Sequence, residues 1–260
     1  HYVSRPPFTE AEAVRRAIYL AGQTDTPLYI AHMTCREAIA ELQKAKGTGQ
    51  RVSGETCTHY LTTTKEVLDN PDFNEAAKFV CSPALRDRED CEALWQALSD
   101  GLLTAVSSDH CGIDVAELKQ AGRNDFTQIP NGSPGAGDRL HMVWTEGVCT
   151  GKLTRQKFVD VIATQPAKIN GIYPRKGTLA VGSDADVVIF DPNYEGTVHL
   201  ADNPNGVDYN LYEGRRQSGR VETVLLRGQV VVENAKFVGR YGQGKFIPAN
   251  MYACGYENRN

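Results

Sequence analysis

The sequence predicts an α/β fold with a parallel sheet, followed by a small all-β portion. Segments with helical periodicity alternate with short apolar strands through much of the chain, which is typical of βα units on a parallel sheet. One strand, 28–32, ends in His32, and the apolar run 102–106 leads to Asp109, as at the mouth of an α/β barrel. Beyond Tyr173, valine, isoleucine and threonine dominate between turn residues, which indicates further strands.

The first helices follow from capping signals and apolar spacing. Residues 9–12 and 34–37 each have the spacing of a capping box, in which a threonine and a glutamate cap the helix start reciprocally. The helices they start are predicted to end near Gly22 and Gly47. The strand 28–32 lies between these two helices, which gives the first βα unit.

The next elements repeat this alternation. Residues 51–57 are predicted as a strand that ends in polar residues, and 79–83 as a brief extended piece closed by a proline. A helix is predicted over 92–98, and the buried strand that leads to Asp109 follows it. Taken alone, an aspartate after a strand is more often a helix or loop cap than a site residue. The histidine at the end of the first strand favours a site.

The count of units leaves two architectures open at this point. A long loop spans 113–139, and two helices are predicted at about 138–149 and 154–170. About three βα units are recognisable, whereas a closed barrel of this class needs about eight. The first part is therefore either an open α/β domain or the later part of a barrel.

The rest of the chain divides into a β portion and a tail. Strand-forming residues cluster at 185–190 and at 221–233, where a glycine turn separates two strands. We assign 1–175 to a partial (β/α) barrel, 176–238 to a β-sandwich portion, and 239–260 to a carboxyl-terminal tail. The tail is rich in glycine and aromatic residues, and we expect it at a surface or a subunit contact.

Composition narrows the classes of function. The net charge is −4 without a basic stripe, which argues against nucleic acid as a partner. Apolar residues make up 41% of the chain, but no apolar run is long enough for a membrane helix. Seven cysteines without a C-x-x-C pair fit reduced thiols in the cytoplasm. The chain begins His1-Tyr2-Val3 without methionine, so we expect the interior of a longer polypeptide.

Seven blocks of sequence stand in order along essentially the whole chain and point to one family. They are Ser-Arg-Pro-Pro at 4–7 with Glu10, Glu12, Ala13 and Arg16, Leu-Tyr-Ile-Ala-His at 28–32, Gly-Glu-Thr-Cys at 54–57, Ser-Pro-Ala-Leu-Arg at 82–86, Ser-Asp-His-Cys at 108–111, Asp-Phe-Thr at 125–127 with Ile-Pro-Asn-Gly at 129–132, and Lys-Gly-Thr-Leu at 176–179 with Gly-Ser-Asp-Ala-Asp at 182–186. Together they resemble the dihydropyrimidinase and D-hydantoinase family of the amidohydrolase superfamily.

The resemblance implies the later part of a (β/α)₈ TIM-like barrel followed by a β-sandwich portion. It also implies two divalent metal ions, usually zinc, in the intact enzyme. The family holds these ions with a His-x-His pair, a carboxylated lysine, two further histidines and an aspartate. His32 matches the last histidine and Asp109 matches the aspartate, but the other family ligands have no counterpart in this chain. We therefore expect the chain alone to be inactive.

The resemblance further implies hydrolysis of a hydantoin or dihydropyrimidine ring to an N-carbamoyl amino acid. The metal ions would activate water and polarise the carbonyl. Asp109 would be the catalytic residue that accepts the proton and returns it to the leaving nitrogen. Ser82 and Asn131 match the positions where the family binds its small cyclic imide or amide, largely through main-chain groups. A cytoplasmic homo-oligomer, either a tetramer or a dimer, is expected.

Several alternatives remain. His59 could line the site, but a structural role is favoured for it and for His110, while Cys111 is interpreted as a packed thiol. In function, the runner-up is a non-catalytic oligomeric scaffold of the same family, against which the retained His32 and Asp109 argue. Dihydroorotase and allantoinase are weaker enzyme alternatives, because the blocks around Ser82 and Asn131 fit the hydantoinase pattern better.

Overall fold

Two sheets, one parallel and one antiparallel, organise residues 1–250, which are the residues that a computed structural model describes. The helices are α1 (Pro7–Gln23), α2 (Arg36–Gly47), α3 (Thr58–Thr62), α4 (Phe73–Ala77), α5 (Arg88–Ser99), α6 (Arg139–Val143), α7 (Arg155–Val159) and α8 (Gln165–Ile169). The strands are β1 (Leu28–Ile30), β2 (Val52–Cys57), β3 (Ala105–Ser107), β4 (Val187–Thr197), β5 (Arg216–Leu226), β6 (Gln229–Glu233) and β7 (Lys236–Phe237). Short 3₁₀ turns lie at Tyr2–Ser4, Lys65–Asp69, Lys119–Gly122, Phe126–Gln128 and Leu200–Asp202.

The first sheet has the strand order β1-β2-β3, and both pairings are parallel. Leu28 pairs with Val52, and Glu55 pairs with Ala105. This confirms the predicted α/β class with βα units on a parallel sheet. A closed or partial barrel goes beyond these three strands and stays a prediction.

Helices α2 and α5 bury their apolar faces against this sheet. Leu42 of α2 and Leu94 and Leu98 of α5 have no exposed surface, and they share one core with Leu103 and Val106 around β3. Each fully buried leucine contributes about 1.5–3 kcal/mol relative to an exposed one. The helices therefore fix the sheet from one side, and the strand ends are held in place by this packing.

The two predicted capping boxes are wrong, although the helices exist. Helix α1 begins at Pro7, and α2 begins at Arg36 with no side-chain cap. Thr9 donates its hydroxyl to the Pro6 carbonyl at 2.7 Å instead of capping a helix. Thr34 bonds to Glu10, so tertiary contacts use the groups that the local pattern assigned to caps.

Other elements differ from expectation in detail. Residues 79–83 form no strand, and the Ser82–Pro83 peptide bond is cis. The two long helices predicted after the loop both exist, but each contains a π-helical turn. Helix α6 continues into Trp144–Val148, and α7 continues through Asp160–Thr164 into α8.

The second sheet is antiparallel with the order β4-β5-β6-β7. It contacts the helical part through Trp144, whose ring lies 4.9 Å from that of Phe190. Gly219 has a φ of +78°, and a Cβ atom there would lie 2.4 Å from Phe190, so glycine is required at this contact. The predicted hairpin at 221–233 is confirmed by β5 and β6. Residues 1–250 contain no second antiparallel sheet that could pack on this one, so the sandwich and the domain boundaries stay predictions.

The carboxyl-terminal tail is described only in part. Its residues 239–250 include a backbone contact in which the Asn250 amide donates to the Gly171 carbonyl at 2.7 Å. The remainder of the predicted tail, 251–260, lies outside the described residues. Within the described residues, none of the helices combines the length and the apolar character needed to cross a membrane.

Candidate active site

Three side chains occupy the same place relative to the three parallel strands. His32, His59 and Asp109 each stand two residues after the last residue of β1, β2 and β3, respectively. The carboxyl ends of parallel strands meet at one edge of a sheet, where α/β enzymes carry their sites. Cys57 pairs with Ser107 in the register, which places the next residues of both strands side by side. We call His32, His59 and Asp109 the strand-end cluster.

Two members of the strand-end cluster share an unusual backbone conformation. The φ angles of His32 and Asp109 are +42° and +44°. A residue other than glycine in this left-handed region costs about 1–3 kcal/mol and persists only where its surroundings determine it. Such residues concentrate at functional sites. Both residues that the sequence predicts as metal ligands therefore have this backbone conformation just beyond the end of a parallel strand.

A buried ionic network holds the segment that follows His32. The Glu10 carboxylate accepts hydrogen bonds from the backbone amide of Thr34, at 2.7 Å, and from the hydroxyl of the same residue. Arg86 donates to Glu10 at 3.1 Å and to the Thr34 hydroxyl at 2.9 Å. The side chains of Arg86 and Glu10 are only 5% and 9% exposed. This network ties α1 to the loop after β1 and so determines where His32 lies.

His59 is the buried member of the strand-end cluster. It is 3% exposed, and its Nε2 atom has no hydrogen-bond partner among residues 1–250. A ring nitrogen of His59, the Cys57 Sγ and an Asp109 carboxylate oxygen all lie within 4.8 Å of one another. Burial, and then the neighbouring His32 imidazole, lowers the pKa of His59 to about 3, so the ring is neutral at pH 7. Its offset from the strand end equals that of His32 and Asp109.

The face of the sheet next to the cluster carries a chain of polar groups. The Tyr29 hydroxyl donates to Glu55 at 2.6 Å, and the Ser107 hydroxyl donates to the other oxygen of Glu55 at 2.8 Å. The Cys57 Sγ lies 3.1 Å from the Ser107 Oγ. Burial raises the pKa of the Cys57 thiol well above its ordinary value, which favours the neutral thiol.

The two predicted substrate-binding residues lie together. The Ser82 hydroxyl donates to the Asn131 side-chain oxygen at 3.0 Å, although 49 positions separate them in the sequence. The Gly132 amide donates to the Val80 carbonyl at 3.0 Å, so the two segments also pair through their backbones. Both side chains are exposed, which leaves them accessible to a ligand. We call Ser82 and Asn131 the loop pair.

Backbone contacts connect the loop pair to the strand-end cluster. His110, next to Asp109, forms a parallel bridge with Ser133, which stands two residues after Asn131. The Cys111 amide donates to the Ser133 carbonyl at 3.0 Å. The chain after β3 therefore runs beside the chain after the loop pair, and the two groups of residues form one candidate site.

His110 and Cys111, which directly follow Asp109, were also interpreted from the sequence. The Gly135 amide donates to the His110 Nδ1 at 3.3 Å, which agrees with a structural role for His110. Cys111, interpreted as a packed thiol, is exposed.

His59 and Asp109, with Cys57 beside them, form a group close enough together to hold a divalent metal ion, and His32 stands at the equivalent end of the neighbouring strand. Imidazole nitrogens and carboxylate oxygens are donors that zinc takes in catalytic sites. The unpartnered Nε2 of His59 is a buried polar atom whose hydrogen-bonding capacity an ion or a bound ligand would use. The loop pair adds exposed polar groups of the kind that orient a small substrate.

Comparison with known proteins gives a consistent result. The model of the amidohydrolase family matches residues 23–231. The chain is 48% identical over 252 residues to a D-hydantoinase from Ralstonia pickettii, covering 97% of this chain and 55% of that protein. It is 40% identical over 247 residues to a dihydropyrimidinase from Arabidopsis thaliana, covering 95% of this chain and 46% of that protein. The chain thus spans about half the length of the curated relatives it matches.

A solved structure supports the same assignment. The D-hydantoinase from a Bacillus sp. AR9 superposes with a TM-score of 0.93 at 45% identity, covering 95% of this chain and 54% of that one. The matched region is the carboxyl-terminal part of these relatives. The chain therefore belongs to the amidohydrolase family, within which it is similar to D-hydantoinases and dihydropyrimidinases.

Proposed function

We propose that the chain forms part of a metal-dependent cyclic amidohydrolase that opens hydantoin or dihydropyrimidine rings. The reaction would cleave a ring N–C(=O) bond with water and give an N-carbamoyl amino acid. The observation that carries the proposal is the strand-end cluster, in which His32, His59 and Asp109 follow three adjacent parallel strands at the same offset. The names of the relatives, D-hydantoinase and dihydropyrimidinase, support the choice of substrate.

The architecture we propose is the later part of a (β/α)₈ barrel with a β-sandwich portion beside it. The three parallel strands of the first part and the antiparallel sheet of the second part support this reading. The proposed ranges remain 1–175 for the barrel part, 176–238 for the sandwich portion and 239–260 for the tail. The high TM-score to a D-hydantoinase is in keeping with it.

We propose that His32 and Asp109 are ligands of a centre with two divalent ions, zinc in the usual case for this family. When bound, such ions lower the pKa of a coordinated water to about 7 and polarise a carbonyl group. In the family pattern these two residues are two of six ligands, so the complete centre needs residues from beyond these 260. His59 stands close enough to Asp109 to bear on the same centre.

Asp109 is proposed to move the proton. Its carboxylate would accept a proton as water adds to the ring carbonyl, and would return it to the ring nitrogen as the N–C bond breaks. Expulsion of an amide nitrogen without protonation is slow, so one carboxylate that serves both steps accelerates both. Asp109 is exposed on the cluster, which leaves its carboxylate accessible to a substrate.

The loop pair is proposed to bind the ring. A cyclic imide presents an N–H donor flanked by two carbonyl acceptors, and main-chain groups near Ser82 and Asn131 can match that pattern. The Gly132–Val80 hydrogen bond fixes these two segments side by side. Their contact with the chain that follows Asp109 would place the bound ring beside the proton-transferring carboxylate.

The experiment is ring opening by a chimera. These 260 residues would replace the matching segment of the Ralstonia pickettii D-hydantoinase, to which 252 of them align at 48% identity. We expect the chimera to bind two metal ions and to hydrolyse hydantoin or dihydrouracil, with the N-carbamoyl product measured directly. Allantoin and dihydroorotate serve as comparison substrates, and preference for either would favour allantoinase or dihydroorotase. A folded, metal-loaded chimera without turnover on any of the four would favour the non-catalytic scaffold.

The 260-residue chain by itself is the matched control. Because it supplies two of the six family ligands, we expect neither turnover nor a stoichiometric metal pair in elemental analysis. Two tightly held ions per chain would contradict the ligand assignment. We also propose that the protein is cytoplasmic. We further propose that it self-associates, because large apolar side chains are exposed, with Leu179 77% and Phe246 90% exposed. Light scattering of the chimera tests self-association.

A further inference from the structure

Lys119 is a buried charged side chain that the proposed chemistry does not use. It lies in the 3₁₀ turn Lys119–Gly122 within the long loop and has no exposed surface. Lysine is almost never fully buried unless it is paired. Among the residues that the structure describes, however, no carboxylate forms an ion pair with Lys119. Its partners must therefore be sought among neutral groups.

The partners are backbone carbonyl oxygens from two separate segments. The Lys119 Nζ donates to the carbonyls of Ala77 and Gly132, both at 2.7 Å. Longer contacts reach the carbonyls of Val80 at 3.4 Å and Lys78 at 3.5 Å. An ammonium group has three donors, so it can bridge several carbonyls at once. Few other side chains could bind this group of acceptors.

These two segments are the ones that carry the loop pair. Residues 77–80 lead directly to Ser82, and Gly132 follows Asn131. The Gly132 amide also donates to Val80, so the Lys119 ammonium lies at the point where the segments meet. A second link supports the contact, because the Ser133 hydroxyl donates to the Lys78 carbonyl at 2.7 Å.

The surroundings of the ammonium contain little opposite charge. The Tyr209 ring faces it, with the centroid 5.8 Å from Nζ. The titratable groups that act on it are the Cys81 and Cys111 thiols and the Asp208 carboxylate. Burial lowers the pKa of Lys119 to about 8 in spite of these groups, so the ammonium form still predominates at pH 7. The carbonyl dipoles and the tyrosine face are what stabilise its charge.

We propose that Lys119 is a positioning residue for the substrate, because its ammonium fixes the Ser82 segment against the Asn131 segment. This role rests on the proposed function, since it assumes that the loop pair binds the ring. Lys119 does not touch the strand-end cluster in any contact described above. It is therefore expected to affect how the substrate is held and to leave the metal ligands and the proton-transfer step unchanged.

The experiment uses two substitutions in the chimera, Lys119→Met and Lys119→Gln. Methionine has similar length and no donor, whereas glutamine keeps two donors on a shorter side chain. Lys44→Met is the matched control, because Lys44 is an exposed lysine that pairs with Glu41 on α2. For each protein we would measure KM and kcat on dihydrouracil, metal content, and hydrogen exchange of the Gly132 amide.

We expect Lys119→Met to raise KM by about tenfold or more, because small displacements of positioning groups have effects of this size. The change in kcat should stay within about threefold, metal content should stay at the wild-type value, and Lys119→Gln should fall in between. The Gly132 amide should exchange faster in both variants, since its hydrogen bond to Val80 loses support. The Lys44→Met control should match the wild type in all four measurements.

The outcomes separate the two proposals. An active wild-type chimera with unchanged KM in a folded Lys119→Met variant would overturn the positioning role alone. If Lys119→Met does not fold, Lys119→Gln decides, and wild-type KM with wild-type Gly132 exchange would overturn the role. An inactive wild-type chimera would overturn the proposed function and the positioning role with it.

Discussion

The polar groups that support the candidate site differ from the polar groups that form it. Arg86 and Lys119 are buried cations. Each donates hydrogen bonds to several acceptors that come from separate segments of the chain. In the strand-end cluster, by contrast, the Nε2 of His59 has no partner among the described residues, and His32 and Asp109 have positive φ angles. The hydrogen-bonding groups of Arg86 and Lys119, which we call the support, have partners, whereas the Nε2 of His59 in the cluster has none among the described residues.

The difference indicates that the support contributes mainly to stability and the cluster mainly to reactivity. Unsatisfied buried polar groups and strained backbone each cost free energy, so they persist only where the surrounding structure enforces them. Substitutions in the support should therefore lower stability, while substitutions in the cluster should lower activity with little loss of stability. The following predictions, all for the chimera, test this contrast.

The largest effect is expected in the support, at Arg86. Arg86→Met removes one partner of a buried ion pair and leaves the Glu10 carboxylate without its charge partner. The free energy of unfolding should fall by about 3–5 kcal/mol, as for other broken buried pairs. Urea unfolding measures it, with Arg16→Met as control, because the Arg16–Glu12 pair is exposed. Equal stability of the two variants would remove the contrast.

The next effect is expected in the cluster, at Asp109. Asp109→Asn keeps the size and one coordinating oxygen but removes the basic site. The value of kcat on hydantoin and dihydrouracil should fall by at least about 10²-fold, the low end for losing general acid–base catalysis. Metal content should fall much less, and stability should be unchanged. His110→Ala is the control, and near-normal kcat of the fully metal-loaded Asp109→Asn variant would rule out the proton-transfer role.

A smaller and different effect is expected at His32. His32→Ala removes a proposed ligand, so the occupancy of one metal ion should fall together with the rate. Excess zinc should restore part of the rate, because binding of a ligand rises with its concentration. Elemental analysis before and after dialysis measures the change. Two ions held as tightly as in the wild type would show that His32 is not a ligand.

An effect of another kind is a pH dependence of stability at Lys119. Burial lowers its pKa from 10.5 to about 8. Between these values the unfolded chain binds a proton that the folded chain does not, so this residue makes the free energy of unfolding rise with pH. Below pH 8 its contribution is constant. The wild type should therefore gain stability relative to Lys119→Met from pH 8 to 10.5, and parallel curves would contradict the lowered pKa.

Local patterns in the sequence predicted the elements well and their contacts poorly. The alternation of helices and strands placed β1, β2 and β3 correctly. The capping boxes failed because Thr34 and Glu10 bind each other and Arg86 across the fold. Such contacts depend on which segments meet, and spacing within one segment carries no information about that.

Two site features were missed for reasons that are physical. His59 was placed just beyond a strand end, but the sequence carries no sign that its Nε2 atom is buried without a hydrogen-bond partner among the described residues. Lys119 was not singled out, since a lysine in a polar loop is normally exposed. Lys119 is buried because two segments of the folded chain meet with their backbone carbonyls directed at its ammonium group. The sequence does not show that these segments meet. The sandwich, the barrel and the domain limits remain predictions from the resemblance.

The common two-residue offset also bears on how such a site can change over generations. Each strand end presents one position to a shared space, and the residue there can be exchanged without moving the strand that carries it. The sheet is then a constant scaffold, and histidine and aspartate occupy equivalent positions two residues after its strands. A substitution at one of these positions would alter metal preference or acid–base chemistry. The packing of Leu94, Leu98 and Leu103 in the core would stay the same.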